Sequence, residues 1–147
     1  MGGRGSSSGN TSRLPALQGS EKQVKWATDL RNNVIKVIEA ERKAFKEYRS
    51  YLDGSGDDEY LKSWEKNTKE AMKIASAGAW ISGFKNFNEY ATKSAIDRLK
   101  NVKKLKSVKL TDKNQKQWEE YIGERAKIRD RLLSASLAYE TFVKRNK

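Results

Sequence analysis

The 147-residue sequence has no cysteine and no histidine, and it contains a single proline. Without cysteine and histidine the chain has no thiolate zinc site, iron–sulfur cluster, His-ligated haem, Ser-His-Asp triad or Cys-His dyad. Carboxylates, lysines and tyrosines remain for acid–base chemistry, but no dense set of acids marks a catalytic or metal site. These absences favour a non-enzymatic binding protein with no cofactor and no metal, and they fit a reducing compartment.

Long apolar runs are also missing. The longest mostly apolar stretch, residues 74–81, is far shorter than the roughly 20 residues that cross a bilayer as a helix. We therefore expect no transmembrane helix and no membrane partner. The length is that of one compact domain.

The first 19 residues are dominated by glycine and serine and hold the only proline. Such a composition buries too little apolar surface to offset the entropy lost on ordering, so we expect a flexible leader over residues 1–19. Its apolar cluster, residues 14–17, either packs against the first helix or docks on a partner. One helical domain over residues 20–147 should follow.

Apolar residues recur at alternating spacings of three and four after the leader, which predicts amphipathic helices. A capping box formed by Ser20 and Gln23 should open the first helix, Ser20 to about Leu52, and Glu41 is the one mismatch in its apolar stripe. A turn over residues 53–59 precedes a second helix that ends at about Ala77. This turn has calcium-loop-like oxygens, but Asp58 and Trp64 stand where an EF-hand requires Gly and Glu.

Two further helices are predicted in the second half of the chain. Asn86 and Glu89 form a second capping box for the third helix, and Thr111 or Asp112 should cap the fourth. The expected inner face of the fourth helix comprises Trp118, Ile122, Ala126, Leu132, Leu133, Ser136, Tyr139 and Val143.

Residues 76–86 hold two glycines and three large apolar side chains, and we interpret them as a bend or short extra turn. No segment alternates with a period of two over a strand's length. The pattern predicts an all-α fold, a four-helix antiparallel bundle with one irregular Trp-containing corner. The four tryptophans, Trp26, Trp64, Trp80 and Trp118, fall in different elements and are expected in a shared core.

The net charge is +12, and half of this excess falls within residues 85–109. At 100° per residue, Lys93, Lys100 and Lys104 share one helix face, with Asp97 and Glu89 as acids that can pair with its first half. Such a face attracts phosphates without reading their sequence. An interfacial membrane helix is a second interpretation, although core burial explains its apolar residues more simply. The candidate contacts to nucleic acid or a partner are Lys93, Arg98, Lys100, Lys103, Lys104, Lys106 and Lys109.

Residues 14–27, LPALQGSEKQVKWA, resemble an LPxLxGSEKQxxWA motif of small uncharacterised proteins encoded by phages and mobile elements of Gram-positive bacteria. The opening MGGRGSSSG resembles the starts of small phage proteins, and Ala79-Trp80-Ile81 is similar to a later Trp-containing motif of the same group. The resemblance implies a phage or mobile-element source and the cytoplasm of a bacterial host. It implies no catalytic residue.

Three functions follow as hypotheses. The first is a non-enzymatic accessory protein that binds host nucleic-acid machinery, such as a ribonucleoprotein CRISPR effector, and inhibits a defence system. Because the chain is basic, it would bind guide RNA, bound DNA or an acidic protein patch and would not mimic a duplex. The second is sequence-independent binding of DNA or RNA by the Lys-rich helix. The third is a homodimer or assembly component built on the long helices.

Overall fold

A computed structural model describes residues 14–49, 57–87, 89–107 and 115–147, without the side chains of residues 89, 90, 92, 106 and 107. This part of the chain confirms the all-α class: it contains five helices and no strand. They are α1 (Glu21–Arg49), α2 (Asp57–Met72), α3 (Ala77–Phe84), α4 (Glu89–Ser107) and α5 (Gln115–Arg145). The predicted caps Thr111 and Asp112, and the end of the first helix at Leu52, lie outside the described residues.

The start of α1 confirms the predicted capping box. The backbone N–H of Gln23 donates to Ser20 Oγ at 3.2 Å, and the Ser20 N–H donates to Gln23 Oε1 at 3.0 Å. Each side chain thus satisfies a backbone donor that the first helical turn leaves without a partner.

The segment just before α1 lies against the folded domain, so ordered structure begins before Ser20. Gln18 forms a parallel β-bridge with Ser76: its N–H donates to the Ala75 carbonyl, and its carbonyl accepts from the Ala77 N–H, both at 2.8 Å. Leu17 packs against the core, and Arg31 donates to the Pro15 carbonyl at 2.8 Å. Of the two roles expected for residues 14–17, the described contacts are those of packing against α1.

The second helix ends at Met72, five residues before the predicted end, and residues 77–84 form a helix of their own. Ser76 caps α3 by accepting a hydrogen bond from the Ala79 N–H at 3.1 Å. Trp80 is fully buried, and its indole N–H donates to the Ile74 carbonyl at 2.8 Å. The irregular corner is therefore helical because a serine cap and a buried indole fix its backbone.

The helices pack in two main pairs. α2 lies along α5, and α1 lies along α4 and α3, whereas α1 meets α2 and α5 at only a few positions. An aromatic cluster at the α3 end joins Trp80, Phe84 and Phe142, whose ring centroids are 4.8–5.1 Å apart. Between α1 and α2, the rings of Phe45 and Trp64 pack edge-to-face with their centroids 5.3 Å apart.

Two of the four tryptophans are not in the core, contrary to the prediction. Trp64 and Trp80 are fully buried, but Trp26 is 49% exposed and Trp118 is 48% exposed. Ile122 and Leu133, also predicted on the inner face of α5, are exposed as well. At 100° per residue, Trp118, Ile122 and Leu133 lie roughly 60° to 120° from the centre of the buried residues of α5. The inner face of α5 is formed by Ile128, Leu132, Ala135, Ser136, Tyr139, Phe142 and Val143.

Candidate nucleic-acid interface

The lysine face of α4 is exposed. Its described members are Lys93, Lys100, Lys103 and Lys104, and they lie away from the buried Ala95, Val102 and Leu105. Lys93, Lys100 and Lys103 form no ion pair with any side chain that the structure describes, so the expected pairing of Asp97 with Lys93 or Lys100 is not formed. The side chain of Glu89, the other acid expected to pair with this face, lies outside the described residues. Lys104 has an interaction partner of its own. The side chain of Lys106, and all of Lys109, lie outside the described residues.

Arg98 is not on this face. Its side chain is partly buried between α4 and α5, and Nη2 donates to Ser94 Oγ at 2.9 Å. Burial lowers the pKa of Arg98, and the positive charge of Arg131 lowers it further, while Glu41 and Asp97 act in the opposite direction. Of the five predicted contact residues whose side chains the structure describes, Arg98 is therefore the one that is turned towards the protein.

A buried ion pair lies next to Arg98. Glu41 is fully buried, and its Oε2 accepts a hydrogen bond from Arg131 Nε at 2.7 Å. Burial raises the pKa of Glu41, and the charge and hydrogen bond of Arg131 oppose that rise. The mismatch noted in the apolar stripe of α1 is thus an ion pair that ties α1 to α5.

A cavity of about 200 Å³ separates α4 from α5 at this level. Arg98, Arg131 and Lys127 line it together with Asp97, so cations and acids are mixed there. Residues 94–101 of α4 line it opposite residues 127–131 of α5. Phe84, just before α4, contacts Phe142 near the end of α5, so the two helices run antiparallel. The last turns of α4 and the first turns of α5 consequently lie at the same end of the molecule.

An exposed aromatic pair occupies that end. Trp118 stacks on Tyr121 with ring centroids 5.7 Å apart and an interplanar angle of 10°. Tyr121 is partly buried against the core, so it holds the indole in a fixed orientation. Sequence reasoning missed this feature by placing Trp118 inside. A signal was present, because Trp118 is the only apolar residue of the segment TDKNQKQWEE at residues 111–120.

A groove also lies between α1 and α2. Its volume is about 580 Å³, and apolar side chains such as Ile35 and Met72 form part of its lining. Ion pairs cross or flank it, including Arg42 with Glu65 at 3.3 Å and Lys73 with Glu70 at 3.1 Å. These pairs neutralise part of its positive charge, in contrast to Lys93, Lys100 and Lys103 of α4.

Two acids at the start of α2, Asp57 and Asp58, have structural roles. Asp57 is buried and accepts a hydrogen bond from the Tyr48 hydroxyl at 2.8 Å, and Asp58 pairs with Arg49 at 3.0 Å. Burial and the Asp57 carboxylate raise the pKa of Tyr48 to about 12. Across the described ranges no group of three acids or other ligands is placed to hold a metal ion. Within these same ranges, no helix is both long and apolar enough to cross a membrane.

Comparison with known proteins adds no relative. No family model matches the chain, and no curated protein or solved structure matches it.

Proposed function

We propose that the protein is a non-enzymatic binder of nucleic acid, free or within a ribonucleoprotein, and that the lysine face of α4 makes the contact. In this proposal α1, α2, α4 and α5 form a four-helix bundle, which holds α4 rigidly with its lysines outward. The supporting observation is that Lys93, Lys100 and Lys103 are exposed on one helix and form no ion pair with a side chain that the structure describes. Their charges remain available for phosphates.

The first test is charge reversal of this face. We expect the triple variant Lys93→Glu, Lys100→Glu and Lys103→Glu to lose most binding to a labelled 20-nucleotide single strand in a low-salt titration. The slope of log Kd against log salt should fall by about two, because roughly 0.7 counterions are released per neutralised phosphate.

A matched variant separates this face from the general charge of the molecule. Lys25, Lys36 and Lys43 are also exposed and also lie on a single helix, α1. Their reversal to Glu changes the net charge by the same amount as reversal on α4. We expect this control to retain most of the affinity. Equal losses in the two triple variants would overturn the assignment to α4.

The motif-like segment at residues 14–27 favours a particular setting for this binding, namely inhibition of a bacterial defence effector that carries RNA or DNA. The protein should be expressed in a bacterial host, recovered at low salt and analysed for bound protein and nucleic acid before and after nuclease treatment. An effector retained through nuclease in stoichiometric amount would support inhibition of that effector. Heterogeneous nucleic acid lost with nuclease or moderate salt would leave generic phosphate binding as the function.

A further inference from the structure

We propose that the Trp118–Tyr121 pair is a stacking platform for an unpaired nucleobase, so that the preferred ligand is single-stranded RNA or DNA. This inference rests on the proposed function, because the lysines of α4 supply the phosphate contacts that bring the strand to the platform. Proteins that bind single strands without sequence preference commonly combine these two elements, a basic surface and exposed aromatic rings.

The geometry of the pair is the first argument. Stacking on Tyr121 covers one side of the indole of Trp118, yet 48% of the residue remains exposed. Tyr121 is in turn held against the core. The ring is thus oriented before a ligand arrives, which lowers the entropy that binding must remove.

The position of the pair relative to charge is the second argument. Trp118 and Tyr121 are three residues apart and share one side of α5, whereas Glu119 and Glu120 point about 100° and 200° away from Trp118 around the helix. The acids of this turn therefore flank the platform and do not lie across it. Because α4 and α5 run antiparallel, the platform is at the end of the molecule where the lysine face of α4 ends.

The requirement for an unpaired base is the third argument. A base inside a duplex is already stacked on both sides, so the indole has access only to a base in a single strand, a loop or a frayed end. The lysines alone would bind either form. The aromatic pair therefore converts a general phosphate affinity into a preference for single strands.

The test compares a 20-nucleotide unstructured strand, as RNA and as DNA, with a duplex of the same length. We expect Trp118→Leu, in the full chain, to raise Kd for the single strands roughly ten-fold. The duplex affinity and the salt dependence should stay within two-fold of wild type, because the indole neutralises no phosphate. Trp118→Phe should keep most of the affinity, since it preserves an aromatic plane.

The chain offers a matched control. Trp26 is 49% exposed, as Trp118 is, but lies on α1. Trp26→Leu should leave both affinities unchanged. Stacking also predicts that single strands quench the tryptophan fluorescence of wild type and of Trp26→Phe, and quench Trp118→Phe much less.

The outcomes separate the two proposals. If neither nucleic acid binds, or if the α4 charge reversal has no effect, the proposed function fails. If binding depends on the α4 lysines but Trp118→Leu leaves the single-strand affinity and preference unchanged, only the stacking platform is overturned. An exposed indole could instead mediate self-association, which sedimentation of the same variants tests. A lower oligomeric mass in Trp118→Leu than in wild type would show self-association at this surface and would also overturn the platform.

Discussion

The two halves of α5 belong to one continuous helix but have different surroundings. From Ile128 to Val143 the helix buries a side chain at every third or fourth position, and Phe142 joins the aromatic cluster around Trp80. In the first two turns, residues 115–120 are all exposed, and the ring of Trp118 stacks on that of Tyr121, one turn further along the same helix. An aromatic side chain of α5 therefore serves packing in one half of the helix and is available for recognition in the other.

The largest expected difference is in the stability contributed by two tryptophans: Trp80, which packs against the buried half of α5, and Trp118, which lies in its exposed half. Trp80→Ala should lower the free energy of unfolding by about 3 to 5 kcal/mol, because it removes a buried ring and leaves a cavity beside Phe142. Trp118→Ala should cost about 1 kcal/mol or less, the scale of one aromatic contact at the surface. Urea unfolding followed by circular dichroism measures both values. Similar losses in the two variants would contradict the contrast between the halves.

The next largest effect on stability is expected at Arg131, near the boundary between the two halves of α5, where the helix pairs with Glu41 of α1. Arg131→Leu should destabilise the protein by about 3 kcal/mol at neutral pH, because Glu41 then remains buried without its partner. We expect the lower part of the usual range, because the Arg131 side chain is itself 31% exposed.

This loss should depend on pH in a definite direction. Burial already raises the pKa of Glu41 above its ordinary value of 4.5, and removing Arg131 raises it further. A raised pKa favours the folded state at low pH, and that advantage disappears as pH rises through the raised pKa. The deficit of Arg131→Leu should therefore shrink as pH falls towards 4.5. Adding Glu41→Gln should abolish that pH dependence, and an equal dependence in the double variant would exclude Glu41 as its source.

The sequence was sufficient for features that are local along the chain. Ser20 and Gln23 are three residues apart, so the capping box of α1 could be predicted and is confirmed by both hydrogen bonds. Apolar periodicity likewise predicted that α1 is an amphipathic helix, and Val34 and Phe45 are among the residues that its inner face buries. In both cases the interacting groups or the period lie within a single helix.

Features that depend on distant parts of the chain could not be predicted. Glu41 was recognisable as a mismatch, but its partner Arg131 is 90 residues away. Periodicity also shows which residues share a face of α5, but not how far neighbouring helices cover that face. Trp118 was therefore assigned to the core, and the exposed aromatic pair was missed.

A smaller difference in stability is expected for alanine substitutions at two glycines, one packed against the buried half of α5 and one within α5 near its exposed half. A Cβ built on Gly83 of α3 would lie 2.9 Å from Cδ1 of Phe142, in the packed half of α5. Gly83→Ala should therefore destabilise the protein by about 1 to 2 kcal/mol. The free-energy penalty of displacing the packed Phe142 ring exceeds the stabilisation from the higher helix propensity of alanine. The same unfolding assay measures it, and a gain in stability would show that Phe142 moves aside freely.

Gly123 lies near the exposed half of α5, and the opposite sign is expected there. No atom lies within 4 Å of a Cβ built at this position, so alanine meets no packed neighbour. Its higher helix propensity should raise the free energy of unfolding by about 0.5 to 1 kcal/mol. Because the substitution stiffens the helix next to Trp118 without touching the ring, single-strand affinity should be retained or slightly increased. If Gly123→Ala raised the stability but lowered the single-strand affinity, α5 would have to bend at Gly123 to accept a base. The stacking surface would then be adaptable and not rigid.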